Sequence, residues 1–466
     1  MFGLIRRKNS AREAFALRSS RPARIAHPAR TLVLCFIVLV ALGGLLLKLP
    51  WCHNEAQVVS WSTAYFTATS AVCVTGLAVT DTATTFSPLG QLVILLLIQI
   101  GGLGYMVASS MLFLLFGREP TLHERLLLRE SFGHATLSDT KKLLWRAIRF
   151  ALVVEGIGAA ILTARFMQET EHTFGEALWR GVFHAVSAFC NAGFDILGLD
   201  ARSGSLIGYQ SDVVVNFTVA ALIIIGGLGF AVCQELLYGR GRRMTLHTRI
   251  VLAMSALLIV AGTLLFLMTE WTNPGTLAPL PPGQKLLVAF FQSVSFRTAG
   301  FASVNFGDLR PITLLFGGIL MFIGASPGGT GGGVKTTTFA AMLIAVKSFL
   351  RGRRDAEIFH RRLDNDTVFR ALVLIFVAFA VVVMAIFALT FTEPATLART
   401  ELADHLFIHL QFEAISALGT VGLSTGVTPH LSEAGRFVIM ALMFLGRLGP
   451  ATVAVAFAQK MAQRKY

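Results

Sequence analysis

Four short stretches share a pattern suited to one kind of chemistry, the coordination of a bare cation by backbone oxygens. The first runs Phe66-Thr67-Ala68-Thr69-Ser70-Ala71-Val72-Cys73-Val74-Thr75-Gly76-Leu77, and the others are 183–194, 290–301 and 412–423. In each, a Phe stands ten residues before a Gly, and Leu or Phe follows that Gly directly. Ser occupies the sixth position before the Gly in three of them (Ser70, Ser187, Ser416); the third has Val294 there, between Ser293 and Ser295. A cation that leaves water needs its hydration shell replaced, and carbonyls from four equivalent loops can do this. Turning successive carbonyls inward demands backbone angles that Gly adopts at least cost. The candidate ligands are Val74, Thr75 and Gly76; Asn191, Ala192 and Gly193; Thr298, Ala299 and Gly300; and Thr420, Val421 and Gly422. None of the twelve is a carboxylate, which favours carbonyl coordination over an Asp/Glu ring.

One such loop means little, because glycine also lets helices pack closely. Four in register mean more, and the rest of the chain is arranged to hold them. Of 466 residues, 54% are hydrophobic and only 14% charged, against about a quarter charged in a soluble protein; mean hydropathy is +0.68. Apolar stretches long enough to cross a bilayer, about 20 residues each, fall at roughly 31–49, 88–116, 145–167, 211–238, 248–268, 311–348, 367–391 and 433–459. The formal charge of +14 sits in five basic blocks, Arg6–Arg30, Arg118–Arg146, Arg240–Arg249, Lys347–Arg370 and Lys460–Lys465. Each lies between spans or at a terminus, as Lys and Arg do in cytoplasmic loops, and not on a nucleic-acid-binding face. With all five inside, each intervening unit leaves the cytoplasm and returns. Its middle segment, too short and polar to cross, stays on the outer side or dips in and returns; a re-entrant helix and loop is the natural reading, because irregular backbone at membrane depth is tolerated only in protein or along a watery path. The basic start is too far from a signal peptide in length and cleavage pattern, which puts both termini in the cytoplasm. Five cysteines without a CxxC pair read as packing residues.

The expected architecture is an all-α polytopic membrane protein with four tandem helix–pore loop–helix repeats. Eight spans and four re-entrant pore helices surround one pseudo-fourfold pore. The boundaries are a basic tail (1–30), repeat one (31–117), a linker with repeat two (118–240), repeat three (241–350), and a linker with repeat four and a short tail (351–466). Each second span carries a glycine cluster: Gly101-Gly102-Leu103-Gly104, Gly226-Gly227-Leu228-Gly229, Gly324 onward, and Gly446-Arg447-Leu448-Gly449. The interval from loop Gly to cluster is 25, 33, 24 and 24 residues, the second lengthened by a polar insertion near Asp195 to Gln210.

The third cluster extends through Gly328, Gly329, Thr330, Gly331, Gly332, Gly333 and Lys335. It misses a phosphate-binding G-x-x-x-x-G-K-[ST] by one residue, since Val334 separates Gly333 from Lys335, and it lacks the flanking strand. So many glycines, each costing about 1 kcal/mol relative to Ala, break the span and form a mobile plug. Arg447, mid-span, needs a cavity or a partner. It can set a cation barrier or hold that plug, whereas Lys335 can instead lie at the cytoplasmic edge. Glu155 is an intramembrane acid with no evident partner; Glu413 and His184 read as hydrogen-bonded structural residues.

The loops, the Gly-Gly-Leu-Gly clusters and Gly446-Arg447-Leu448-Gly449-Pro450 resemble the Ktr/Trk/HKT superfamily of potassium transporters over nearly the whole chain, and look most like its KtrB branch of pore subunits. The resemblance implies a potassium uptake pore in the plasma membrane, assembled as a homodimer. It implies gating by a cytosolic KtrA-type nucleotide-binding ring, potassium as substrate, sodium as an activating ion in some members, no cofactor and no enzymatic activity. Gly at all four filter positions fits potassium. Sodium or mixed conduction, an ion-motive ATPase subunit, and a nucleotide-using enzyme are the alternatives.

Overall fold

The computed structural model describes residues 28–54, 58–103, 140–169, 173–198, 204–239, 244–352, 355–359, 361–393 and 405–449. The basic tail up to residue 27, the distal part of the second span (104–116) and the C-terminal stretch 450–466 lie outside the described residues. The first unit comprises α1 (Pro28–Leu47), pore helix α2 (Trp61–Val72) and α3 (Pro88–Gly102). The second comprises α4 (Thr140–Phe166), pore helix α5 (Phe174–Phe189), α6 (Val213–Leu228) and α7 (Phe230–Tyr238). The third has α8 (Leu246–Glu270), pore helix α9 (Pro282–Ser295), α10 (Pro311–Phe322) and α11 (Thr336–Leu350). The fourth has α12 (Asn365–Thr392), pore helix α13 (Leu406–Gly419) and α14 (Glu433–Leu448).

Local chemistry starts the pore helices where they start. Ser60 caps α2 by accepting from the Thr63 amide at 3.1 Å. Thr173 caps α5 in a capping box with Glu176, and α9 begins with Pro at its first position, where the missing N–H costs nothing. Each first span packs on its own pore helix: α1 on α2, α4 on α5, α8 on α9 and α12 on α13. Each second span packs on the next unit's pore helix: α3 on α5, α6 on α9, α10 on α13, and α14 back on α2. That order closes a ring, so the expected pseudo-fourfold arrangement is the observed one.

One expectation needs correction. The stretch 211–238 is not one straight span: α6 and α7 meet at Gly229 with a bend of 100°, because Gly229 adopts φ +93° and ends the helix. A short hairpin of β1 (Glu357–Ile358) and β2 (Arg361–Arg362) lies in the last linker and leaves the all-α fold class as expected. By length and composition, α8, α12 and the 145–166 part of α4 can cross a bilayer unaided. The second spans are shorter or broken among the described residues, and they stop at the glycine clusters.

Those clusters serve close approach. A methyl on Gly101, Gly226 or Gly446 would run into the carbonyl of Val72, Phe189 or Leu418 respectively, each the fourth residue before its loop Gly. In the third unit Gly324 instead faces Gly332 of its own break, and a Cβ on Gly317 would stand 2.6 Å from the ring of Phe296. Overpacking of this kind costs about 1–3 kcal/mol. Gly101→Ala and Gly446→Ala should therefore melt several degrees below wild type in detergent, while Gly156→Ala, with open space at its Cβ, should not. Equal melting of all three would refute the close-packing role.

Candidate ion-coordinating site

Each pore helix ends in the same unusual turn. The residue two before the loop Gly is left-handed although it is not glycine: Val74 at φ 56°, Asn191 at 58°, Thr298 at 67° and Thr420 at 49°. Positive φ is rare for non-glycine residues and strained for β-branched ones. It costs of order 1–3 kcal/mol per residue and persists where surroundings enforce it, often at functional sites. The enforcement is visible in three units. The Thr75, Ala192 and Val421 amides donate five residues back, to the Ser70, Ser187 and Ser416 carbonyls, at 2.7–2.8 Å, closing a Schellman-type helix end. In the third unit Ala299 N reaches Ser295 O at 3.0 Å.

The serine side chains finish the clamp. Ser70 and Ser416 hydroxyls accept from the Gly76 and Gly422 amides at 3.0 and 3.1 Å. Ser187 Oγ donates to Phe194 O at 2.7 Å, and Ser295 Oγ to Phe301 O at 2.5 Å. The third unit thus fills the serine's role from the adjacent position, with Val294 turned into the core.

The four loop glycines sit against one another in cyclic order. A Cβ on Gly76 would strike Ala192 O; on Gly193, Ala299 O at 2.8 Å; on Gly300, Val421 O at 2.5 Å; and on Gly422, Thr75 O. The order one to two to three to four to one repeats that of the helices around them. All twelve candidate ligands are therefore brought together, in four equivalent loops of which every residue but Gly76 is buried.

Beneath this ring lies the glycine-rich break between α10 and α11. It holds itself by Gly324 N to Val334 O at 2.8 Å and Ser326 Oγ with Thr336 Oγ1 at 2.9 Å. It also reaches the loops. Thr330 Oγ1 shares its one proton between Phe189 O (2.9 Å) and Asn191 Oδ1 (3.1 Å), and Gly332 N donates to Thr420 Oγ1 (3.1 Å). A methyl on Gly331 would meet Thr298 Oγ1. Asn191 Nδ2 in turn donates to Thr298 Oγ1 at 3.3 Å. Side chains of three left-handed residues thus face the break.

Arg447 donates to Thr330 O and Gly101 O, and to Gly102 O at 3.3 Å. Its partners are carbonyls of the break and of the first unit's span end, which answers the need for a partner. Lys335 is not a free edge residue: its Nζ donates to Gly331 O at 2.8 Å. Glu155 finds Gln99, whose Nε2 lies 3.1 and 3.0 Å from its two oxygens. Glu413 accepts from Ser424 Oγ (2.5 Å), Thr425 N (3.0 Å) and Thr428 Oγ1 (2.7 Å), and so anchors the chain leaving the fourth loop. His184 Nδ1 lies 2.7 Å from Arg180 O, while its buried Nε2 has no hydrogen-bond partner among the described residues. All five cysteines are unpaired.

Comparison with known proteins agrees with this geometry. The family model of TrkH, described as a cation transport protein, matches residues 10–466. The chain belongs to the TrkH family. It is 39% identical over 427 residues to the potassium/sodium uptake protein NtpJ of Enterococcus hirae, covering 91% of this chain and 92% of that one. It is 38% identical over 433 residues to the Ktr system potassium uptake protein B of Bacillus subtilis, covering 93% of each. The crystal structure of the potassium transporter TrkH from Vibrio parahaemolyticus has the same fold, with TM-score 0.67 at 19% identity over 94% of this chain and 86% of that one. As a TrkH-family protein this chain is a polytopic membrane transporter and not an enzyme.

The serine clamp yields a prediction for this TrkH-family member. Ser416→Ala leaves the Gly422 amide without its acceptor, a loss of about 1–3 kcal/mol for a buried donor. On the reading of the ring as an ion filter, it should weaken discrimination between potassium and sodium while Val294→Ala, at the equivalent position without a clamp, does not. Measured ion preference that is unchanged by Ser416→Ala would show the clamp to be idle.

Proposed function

We propose that this chain is the ion-conducting subunit of a potassium uptake system of Ktr type. Potassium, the substrate, passes through the four-loop ring down its electrochemical gradient, with backbone oxygens of Val74 to Gly76, Asn191 to Gly193, Thr298 to Gly300 and Thr420 to Gly422 replacing its water. The single observation that carries this reading is the closed cyclic contact of the four loop glycines. No side chain intrudes at those contacts, and none of the twelve ring residues is acidic. The names of the Ktr system relatives support potassium. They also support a partner component, which we take to be a cytosolic nucleotide-binding regulatory ring acting on a homodimer in the plasma membrane, with both termini in the cytoplasm. The glycine-rich break, residues 328–333 with Lys335 and Arg447, is the gate. Its position under the ring, hydrogen-bonded to the second and fourth units, supports that role.

A second reading, sodium acting as a co-transported or activating ion, is favoured by one observation: the relative NtpJ is named for both ions. The two readings share the ring and differ in what it passes.

The test is potassium-limited growth and rubidium uptake in an uptake-deficient bacterium, comparing wild type with Gly76→Ser and Gly300→Ser. Both substitutions force a side chain onto a left-handed residue and into a neighbouring loop's carbonyl. Wild type should restore growth, and each variant should lose potassium preference by roughly tenfold, or about 1.4 kcal/mol. A wild type that moves no ion beside a cognate partner, or variants of unaltered preference, would sink the proposal.

A further inference from the structure

The break at Gly229 has a chemical consequence for the gate, one that rests on the glycine-rich loop being the gate at all. In a continuous α-helix the amide of residue i bonds the carbonyl of residue i−4. A straight span would therefore pair Phe230 N with Gly226 O, and Ala231 N with Gly227 O. The bent span gives those carbonyls other donors. Thr330 N donates to Gly226 O at 3.1 Å, and Ser326 N to Gly227 O at 3.0 Å. The displaced Phe230 N donates to Gly328 O at 3.2 Å. The last carbonyls of a helix need partners from outside it, and the gate loop supplies them. It is the C-terminal cap of α6, provided by another unit.

The contact leaves no room for both arrangements. Pro327 O lies 2.6 Å from where a Cβ of Gly229 would stand, and the Gly328 carbonyl carbon 3.2 Å from it. Carbonyls at a helix end point along its axis, so the next helical turn would occupy the loop's place. A second tie holds α7 aside. Glu235 accepts from Thr245 N (2.6 Å), Thr245 Oγ1 (2.8 Å) and Thr248 Oγ1 (2.5 Å) at the start of α8.

We propose that the gate loop and the continuation of helix α6 compete for the Gly226 and Gly227 carbonyls, so that the gate opens when α6 and α7 become one helix. The two states exchange three loop-to-helix hydrogen bonds for three ordinary helical ones (Phe230 to Gly226, Ala231 to Gly227 and Val232 to Leu228), which makes the element bistable. Glu235 acts as a positioning residue that holds the bent, closed form, and α7 is the lever through which a cytoplasmic event reaches the pore.

The experiment measures rubidium uptake by the purified full chain in liposomes without any partner. The variants are Gly229→Ala, Glu235→Ala, Ala231→Pro, the double variant Glu235→Ala with Ala231→Pro, and Arg447→Gln as an independent release of the loop. Gly229→Ala favours the straight helix and should raise uptake roughly fivefold, the population shift given by about 1 kcal/mol of helix preference. Glu235→Ala, which leaves the bend's own residues intact, should raise it too, with rubidium-to-sodium preference unchanged. Proline at 231 fits the first turn of α7 but cannot bond Gly227 O in a straight helix. It should return the Glu235→Ala variant to the wild-type rate. If Arg447→Gln raises uptake but the Gly229 and Glu235 variants do not, or the proline fails to reverse Glu235→Ala, the competition is overturned and the gate remains. If Arg447→Gln also leaves uptake unchanged, the gate reading falls and this proposal with it.

Discussion

Four glycines from distant parts of one chain meet around an axis so tightly that none has room for a methyl group. The described pore helices and second spans are packed around that contact. A cation in a low-dielectric interior is costly unless oxygen ligands surround it, and only bare backbone can bring carbonyls from four directions this close. The left-handed residues before each glycine, strained in isolation, are held by pore-helix ends and serine hydroxyls. The pore helices are held by second spans whose own glycines let backbone lie on backbone. Strain at the centre is thus supported by close packing in the layer around it, and that packing by the long first spans outside.

The fold was legible in the sequence because the repeat is carried by spacing. A Phe ten residues before a Gly, and a glycine cluster some 24 residues later in three of the four units, persist while the residues between them differ. Hydropathy marks the spans, yet it also hides the bend at Gly229, because residues 211–238 stay apolar straight through it. What exposes the bend is backbone bonding, which hydropathy does not sense. The cluster Gly226-Gly227-Leu228-Gly229 comes closest to signalling it, and it reads as packing when it is also a helix terminus.

The candidate site divides the same way. All twelve loop residues follow from matching the four stretches to one another. Partners do not. Glu155 pairs with Gln99, 56 residues earlier in another helix, and Arg447 reaches Thr330 and Gly101 across 117 and 346 residues. Nothing local specifies such pairs; they exist because the ring closes. The displaced serine of the third loop shows a milder limit. Ser295 bonds Phe301 O from one position later in the pore helix, so the hydroxyl is kept while the strict register is not.

Among the described residues the glycine-rich break occurs in one unit of the four, where it touches the loops of the second, third and fourth units. Four identical subunits around one axis would each bring the same insert, and four copies could not lie in the space that one fills. Joining the units covalently removes that obstacle. Each can then vary alone, as the left-handed positions already do with Val, Asn, Thr and Thr. A tandem chain keeps the cyclic contact that symmetry makes good and still admits a part that symmetry would forbid.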